Sequence, residues 1–149
     1  MSCSYLSTSL TKQAQNLASN GFRNARPNPA VGCIVVDDQK NILGQGHTQQ
    51  AGGPHAEIMA LRDATAKGHS VVGSTAYVTL EPCCHHGRTG PCCDSLIAAG
   101  VKKVVASIAD PNPLVSGQGF ARLRAAGIEV EVGLGAAESR ELNIGFSAE

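Results

Sequence analysis

From Thr75 onward, strand-like and helix-like segments of this chain alternate, and that order excludes most folds. Thr75–Leu80 is a β-branched, apolar run, and Asp94–Ala99 reads as a short helix closed by Gly100. Lys103–Ile108 is the next strand, Phe120–Ala126 a helix stopped by Gly127, Ile128–Val132 a strand, and Ala137–Leu142 a last helix. Strands joined through helices run parallel, because a helix carries the chain back across the sheet whereas a tight turn reverses it. The first half reads differently. Val31–Val36 is a continuous apolar run, Asp37–Lys40 has turn chemistry, and Asn41–Gly46 follows as an antiparallel partner. Before them, Leu6, Leu10, Ala14, Leu17 and Ala18 fall on one face of a helix over about Tyr5–Asn20, which Gly21 ends. Another helix opens at His55, after Gly52-Gly53-Pro54, and runs to about Lys67 before Gly68. The expected architecture is a three-layer α/β/α sandwich, with a mixed sheet of about five strands covered by helices on both faces.

A length of 149 residues suits one domain, expected to span 1–149. Aromatic residues make up only 3% of the chain, so Val, Ile, Leu and Ala must fill its core. The formal net charge is zero and no basic run exceeds Lys102-Lys103, which argues against nucleic acid as a partner. No apolar run approaches a membrane span, and the first ten residues lack the pattern of a signal peptide. Six cysteines in such a chain favour metal binding or plain thiols over a disulfide framework, and a cytoplasmic location.

The chemistry concentrates between His55 and Cys93. Pro54-His55-Ala56-Glu57 opens a helix, and Thr79-Leu80-Glu81-Pro82-Cys83-Cys84-His85-His86-Gly87-Arg88-Thr89-Gly90-Pro91-Cys92-Cys93 joins a strand to the next one. A zinc ion that activates water needs three protein ligands, an open position and a nearby proton carrier. Helix starts present unpaired N–H groups and partial positive charge, which favour thiolate over thiol. Two such starts aimed at one point would hold His55, Cys83 and Cys92 around zinc, with Glu57 beside them as the proton carrier. Zinc nucleobase deaminases carry His-x-Glu followed by Pro-Cys-x-x-Cys, and the second half is stretched here. Cys83 and Cys92 each follow a proline, so Cys84 and Cys93 read as packed thiols, while Cys3 falls in a fraying terminus and Cys33 in a core strand. The competing readings are that Glu57 and His55 merely serve a helix N-terminus, or that His85 or His86 closes a structural four-ligand site. Gly117-Gln118-Gly119 could cradle a phosphate, although a turn explains it better, and His69 receives no role.

The run from Thr79 to Cys93 closely resembles the deaminase domain of the bifunctional riboflavin-biosynthesis deaminase–reductase family. So do Pro27–Gly32, Pro54–Glu57, Asp110–Val115 and Leu142–Phe146, so the likeness covers nearly the whole chain. It implies a cytidine-deaminase-like fold and hydrolytic loss of the 2-amino group from 2,5-diamino-6-ribosylamino-4(3H)-pyrimidinone 5′-phosphate. By matching position it implies His55, Cys83 and Cys92 as zinc ligands and Glu57 as proton shuttle. It also implies Asn28 at the pyrimidine edge, with His85, Arg88 and Asn112 at the ribose phosphate. Thr48 stands where some members carry His, with His47 one position earlier, and Cys84 stands where many carry Ser. The family continues into a nicotinamide-dependent reductase domain, for which no Gly-x-Gly-x-x-Gly unit is found here, so a separate reductase is an expected partner. The resemblance further implies a homo-oligomer, a dimer or larger. Rival substrates are guanine, cytosine and pterin or azapteridine precursors.

Overall fold

A computed structural model describes residues 10–16, 31–47, 55–82, 92–109 and 116–133. Residues 10–16 are helical (α1). They are followed by β1 (Gly32–Val36), β2 (Ile42–His47), α2 (Ala56–Ala66), β3 (Thr75–Val78), α3 (Cys92–Ala99), β4 (Lys103–Ala106), α4 (Gln118–Ala125) and β5 (Glu129–Val132). The sheet order is β2-β1-β3-β4-β5. β1 runs antiparallel to both neighbours, whereas β3, β4 and β5 are mutually parallel, as the alternation from Thr75 requires. The anticipated helix at Ala137–Leu142 lies outside the described residues.

This order also dictates where the helices go. β2 and β3 both oppose β1 and are therefore parallel to each other, so α2 is a crossover like α3 and α4. All three crossovers step in one direction along the sheet, and a common right-handed sense places their helices on one face. The main core bears this out: Cys33, Val35, Ala76, Val78, Val104 and Ala106 meet Ala56 and Ala60 of α2, Cys93 and Leu96 of α3, and Phe120 and Leu123 of α4. The opposite face, Ile34, Val36, Tyr77 and Val105, packs under Leu10 and Ala14 of α1. Because both faces are covered, β1 is buried at every position, which accounts for its unbroken apolar run.

α2 lies unusually close to the edge strand. A Cβ added at Gly44 would come 2.3 Å from the Ala60 carbonyl oxygen and 2.7 Å from the Ala64 nitrogen. One added at Gly46 would come 2.5 Å from Met59 Cβ and 2.8 Å from the Ala60 nitrogen. Backbone therefore rests on backbone, with Ala56, Ala60 and Ala64 fully buried opposite the glycines. The same helix covers the outer edge of β2. Gln45 N–H donates to Asp63 Oδ2 at 3.0 Å, Lys67 pairs with that carboxylate, and His69 Nδ1 meets the Leu43 carbonyl at 3.0 Å. His69, given no role from sequence, thus helps to blunt an exposed strand edge. Among the described residues no helix is long and apolar enough to cross a membrane.

Candidate metal centre

The first turns of α2 and α3 converge. His55 occupies the N-cap position of α2 in extended backbone conformation, yet its side chain makes no capping bond. Its Nδ1 instead lies 3.0 Å from Sγ of Cys92, the first residue of α3, although 37 residues separate the two in sequence. The reading of His55 as a mere helix cap therefore fails. Glu57 sits in the same first turn of α2 and is only 4% exposed. Charge buried at a helix N-terminus is favoured by the partial positive charge there.

The two cysteines that open α3 separate cleanly. Cys92 faces His55, whereas the Cys93 thiol donates to the Pro82 carbonyl at 3.3 Å and lies 3.5 Å from the Gly119 carbonyl. Cys93 is a packed thiol, as expected, and Cys92 is the one that meets the His55 imidazole. Cys33 is fully buried on β1, and burial, reinforced by the Glu57 charge, raises its pKa well above the usual thiol value. Cys33 packs in the main core against Val35 and the helices over that face, so it is a core residue.

The pair fits zinc. Bond lengths of about 2.3 Å to sulfur and 2.0–2.1 Å to nitrogen place two tetrahedral ligand atoms about 3.6 Å apart, which requires only a modest opening of the observed contact. Neighbouring imidazole nitrogen and thiolate sulfur are a common zinc donor set. Among the described residues no group of three such donors forms. Cys83, expected as the third ligand, lies outside the described residues, as do Cys84, Asn28, His85, Arg88, Asn112 and Thr48. His47 ends β2 opposite Gly32.

One residue that sequence reasoning passed over is prominent here. Glu81, just ahead of Pro82-Cys83, is 5% exposed, and its carboxylate accepts from Gly117 N–H at 2.9 Å and Phe120 N–H at 3.2 Å. The start of α4, considered above as a phosphate cradle, is therefore engaged by a side chain of the protein itself. An acidic residue flanked by Leu80 and Pro82 in a buried run was the available signal.

The model of the cytidine and deoxycytidylate deaminase zinc-binding region matches residues 6–108. The riboflavin biosynthesis protein RibD of Escherichia coli K12 is 57% identical over 134 residues, covering 90% of this chain and 35% of that protein. The diaminohydroxyphosphoribosylamino-pyrimidine deaminase of Buchnera aphidicola subsp. Schizaphis graminum is 48% identical over 134 residues, covering 90% of this chain and 88% of that one. Among solved structures, Acinetobacter baumannii RibD, form 1, matches with a TM-score of 0.89 at 48% identity, over 96% of this chain and 39% of that one. The chain thus spans about a third of the RibD proteins and most of the Buchnera deaminase.

Proposed function

Because the chain belongs to the family of the cytidine and deoxycytidylate deaminase zinc-binding region, we propose that it is a hydrolytic deaminase of riboflavin biosynthesis. The substrate in this reading is 2,5-diamino-6-ribosylamino-4(3H)-pyrimidinone 5′-phosphate, and the products are 5-amino-6-ribosylaminouracil 5′-phosphate and ammonia. The observation that carries it is the His55–Cys92 contact with buried Glu57 beside it. The Buchnera relative, named for this pyrimidine and matched over most of its length, supports the choice of substrate.

His55, Cys92 and Cys83 would hold the zinc cofactor, which when bound would supply the Lewis acidity that makes water nucleophilic near neutral pH. Glu57 takes a proton from the attacking water and hands it to the departing 2-amino group. The new C–O bond at C2 replaces the C–N bond, and nitrogen leaves as ammonia. Asn28 holds the pyrimidine edge, while His85, Arg88 and Asn112 bind the ribose phosphate. Glu57 beside the donor pair favours this over a structural zinc module, which has no use for a buried carboxylate there. In the same reading the chain works in the cytoplasm as one deaminase unit, as a homo-oligomer, and passes its product to a reductase.

The test is ammonia release, with zinc assayed on the same preparation. Turnover of the ribotide but not of its dephosphorylated form, cytidine or guanine, with about one zinc per chain, is the expected result. Zinc with turnover only of another amine would replace the substrate, and bound zinc with four protein ligands would replace the enzyme by a structural module.

A further inference from the structure

We propose that Glu81 is a positioning residue for the metal site, acting through a clamp that joins the cysteine-bearing segment to α3 and α4. The inference rests on the reading of His55, Cys83 and Cys92 as ligands. Five contacts converge on the two residues before Cys83. The Glu81 amide donates to the Ile108 carbonyl at 2.9 Å, extending the hold of β4 beyond the end of β3. Its buried carboxylate spans the first turn of α4, taking the Gly117 and Phe120 N–H groups. The Pro82 carbonyl packs so tightly on α4 that a Cβ at Gly119 would come within 2.0 Å of it. The same carbonyl accepts from Cys93, the neighbour of Cys92 in the first turn of α3.

Pro82 is thereby fixed against both helices, and Cys83 is bonded directly to it. A carboxylate that satisfies two backbone donors in a buried place holds its geometry far better than a surface contact would, because every alternative leaves donors without partners. Nothing in hydrolytic deamination needs an acid at this point. What the site needs is that a ligand leaving β3 arrives at a fixed distance from one that opens α3. Glu81 touches neither the substrate nor the reacting atoms in this role.

Three variants of the whole chain test it, each compared with wild type: Glu81→Gln, which keeps shape and loses one acceptor, Glu81→Ala, and Gly119→Ala, which keeps the Glu81 side chain but crowds both it, at 3.1 Å, and the Pro82 carbonyl. Zinc affinity is read by chelator competition, and ligand geometry by the absorption of the cobalt-substituted protein. Expected is a stepwise weakening of zinc binding, about tenfold or more in Glu81→Ala and less in Glu81→Gln. The cobalt bands shift in all three. Val36→Ala, a core cavity on the opposite face, should lower the melting temperature while leaving affinity and cobalt spectrum at wild-type values. Unchanged affinity and spectrum in Glu81→Gln and Gly119→Ala would overturn the clamp, and so would equal changes in Val36→Ala. A wild-type chain that takes up no zinc would overturn the ligand reading and this inference with it.

Discussion

Gly46→Ala puts the contact between α2 and the sheet to its most direct test. The new Cβ would meet Met59 Cβ at 2.5 Å and the Ala60 nitrogen at 2.8 Å, short of ordinary 3.4 Å contact by about 0.9 and 0.6 Å. Neither obstacle is the movable end of a side chain, so the strain falls on the helix axis. Overpacking of this kind costs about 1–3 kcal/mol, and at this chain length each kcal/mol lowers the melting temperature by about 2–4 °C. The greater effect should be on chemistry. Gly46 sits under the N-terminal half of α2, against Met59, Ala60 and the Ala56 carbonyl, next to His55 and Glu57. Lifting that end by about 1 Å displaces the proposed ligand His55 and the proposed proton carrier Glu57 together, and misplacement of about 1 Å costs on the order of 10²-fold in rate. Thermal unfolding and kcat/KM for ammonia release, measured with zinc saturating, give both numbers. A variant that melts within about 1 °C of wild type, where the overpacking cost requires several degrees, and keeps its kcat/KM would refute the backbone-on-backbone seam.

Other outcomes follow from the same geometry. Glu57→Gln should retain zinc and lose turnover by about 10²–10⁴-fold, and near-normal activity would remove it from proton transfer. Cys92→Ser should abolish stoichiometric zinc while Cys93→Ser keeps it, a contrast that metal analysis of the purified variants resolves, and the reverse result would exchange their roles. Asp63 has its pKa lowered, first by the Gln45 amide and then by Lys67, so it stabilises the fold above its unfolded value and loses that contribution as pH falls through the lower folded one. Denaturant melts below about pH 4 should accordingly fall less steeply with acid in Asp63→Asn than in wild type, and parallel curves would contradict the edge contact.

Much of this was legible beforehand because it depends on short-range pattern. Strands alternating with helices after Thr75 allow few chain paths, and a three-layer, cytidine-deaminase-like α/β fold is what results. His55 and Glu57 announce themselves through a Gly-Gly-Pro break and a helix start. What escaped depends on partners distant in sequence. α4 begins at Gln118 rather than at Phe120, because the carboxylate at its N-terminus comes from Glu81, and no local capping residue marks the start. β3 stops at Val78 rather than Leu80, where the chain turns toward Glu81 and the cysteine-bearing segment. Gly44 and Gly46 read as ordinary strand residues until the helix above them is known, and His69 gains a task only once β2 proves to be an edge.

The placing of α1 on the far face has a consequence in time. Leu10 and Ala14 of α1 share their cluster with Ile34 and Val36, but also with Tyr77 and Val105. Chain leaves the ribosome at about 5–20 residues per second, so α1 waits roughly 5–20 s for β4, the strand that completes this cluster. Until then the apolar side that carries Leu10 and Ala14 has only part of the surface on which it finally rests.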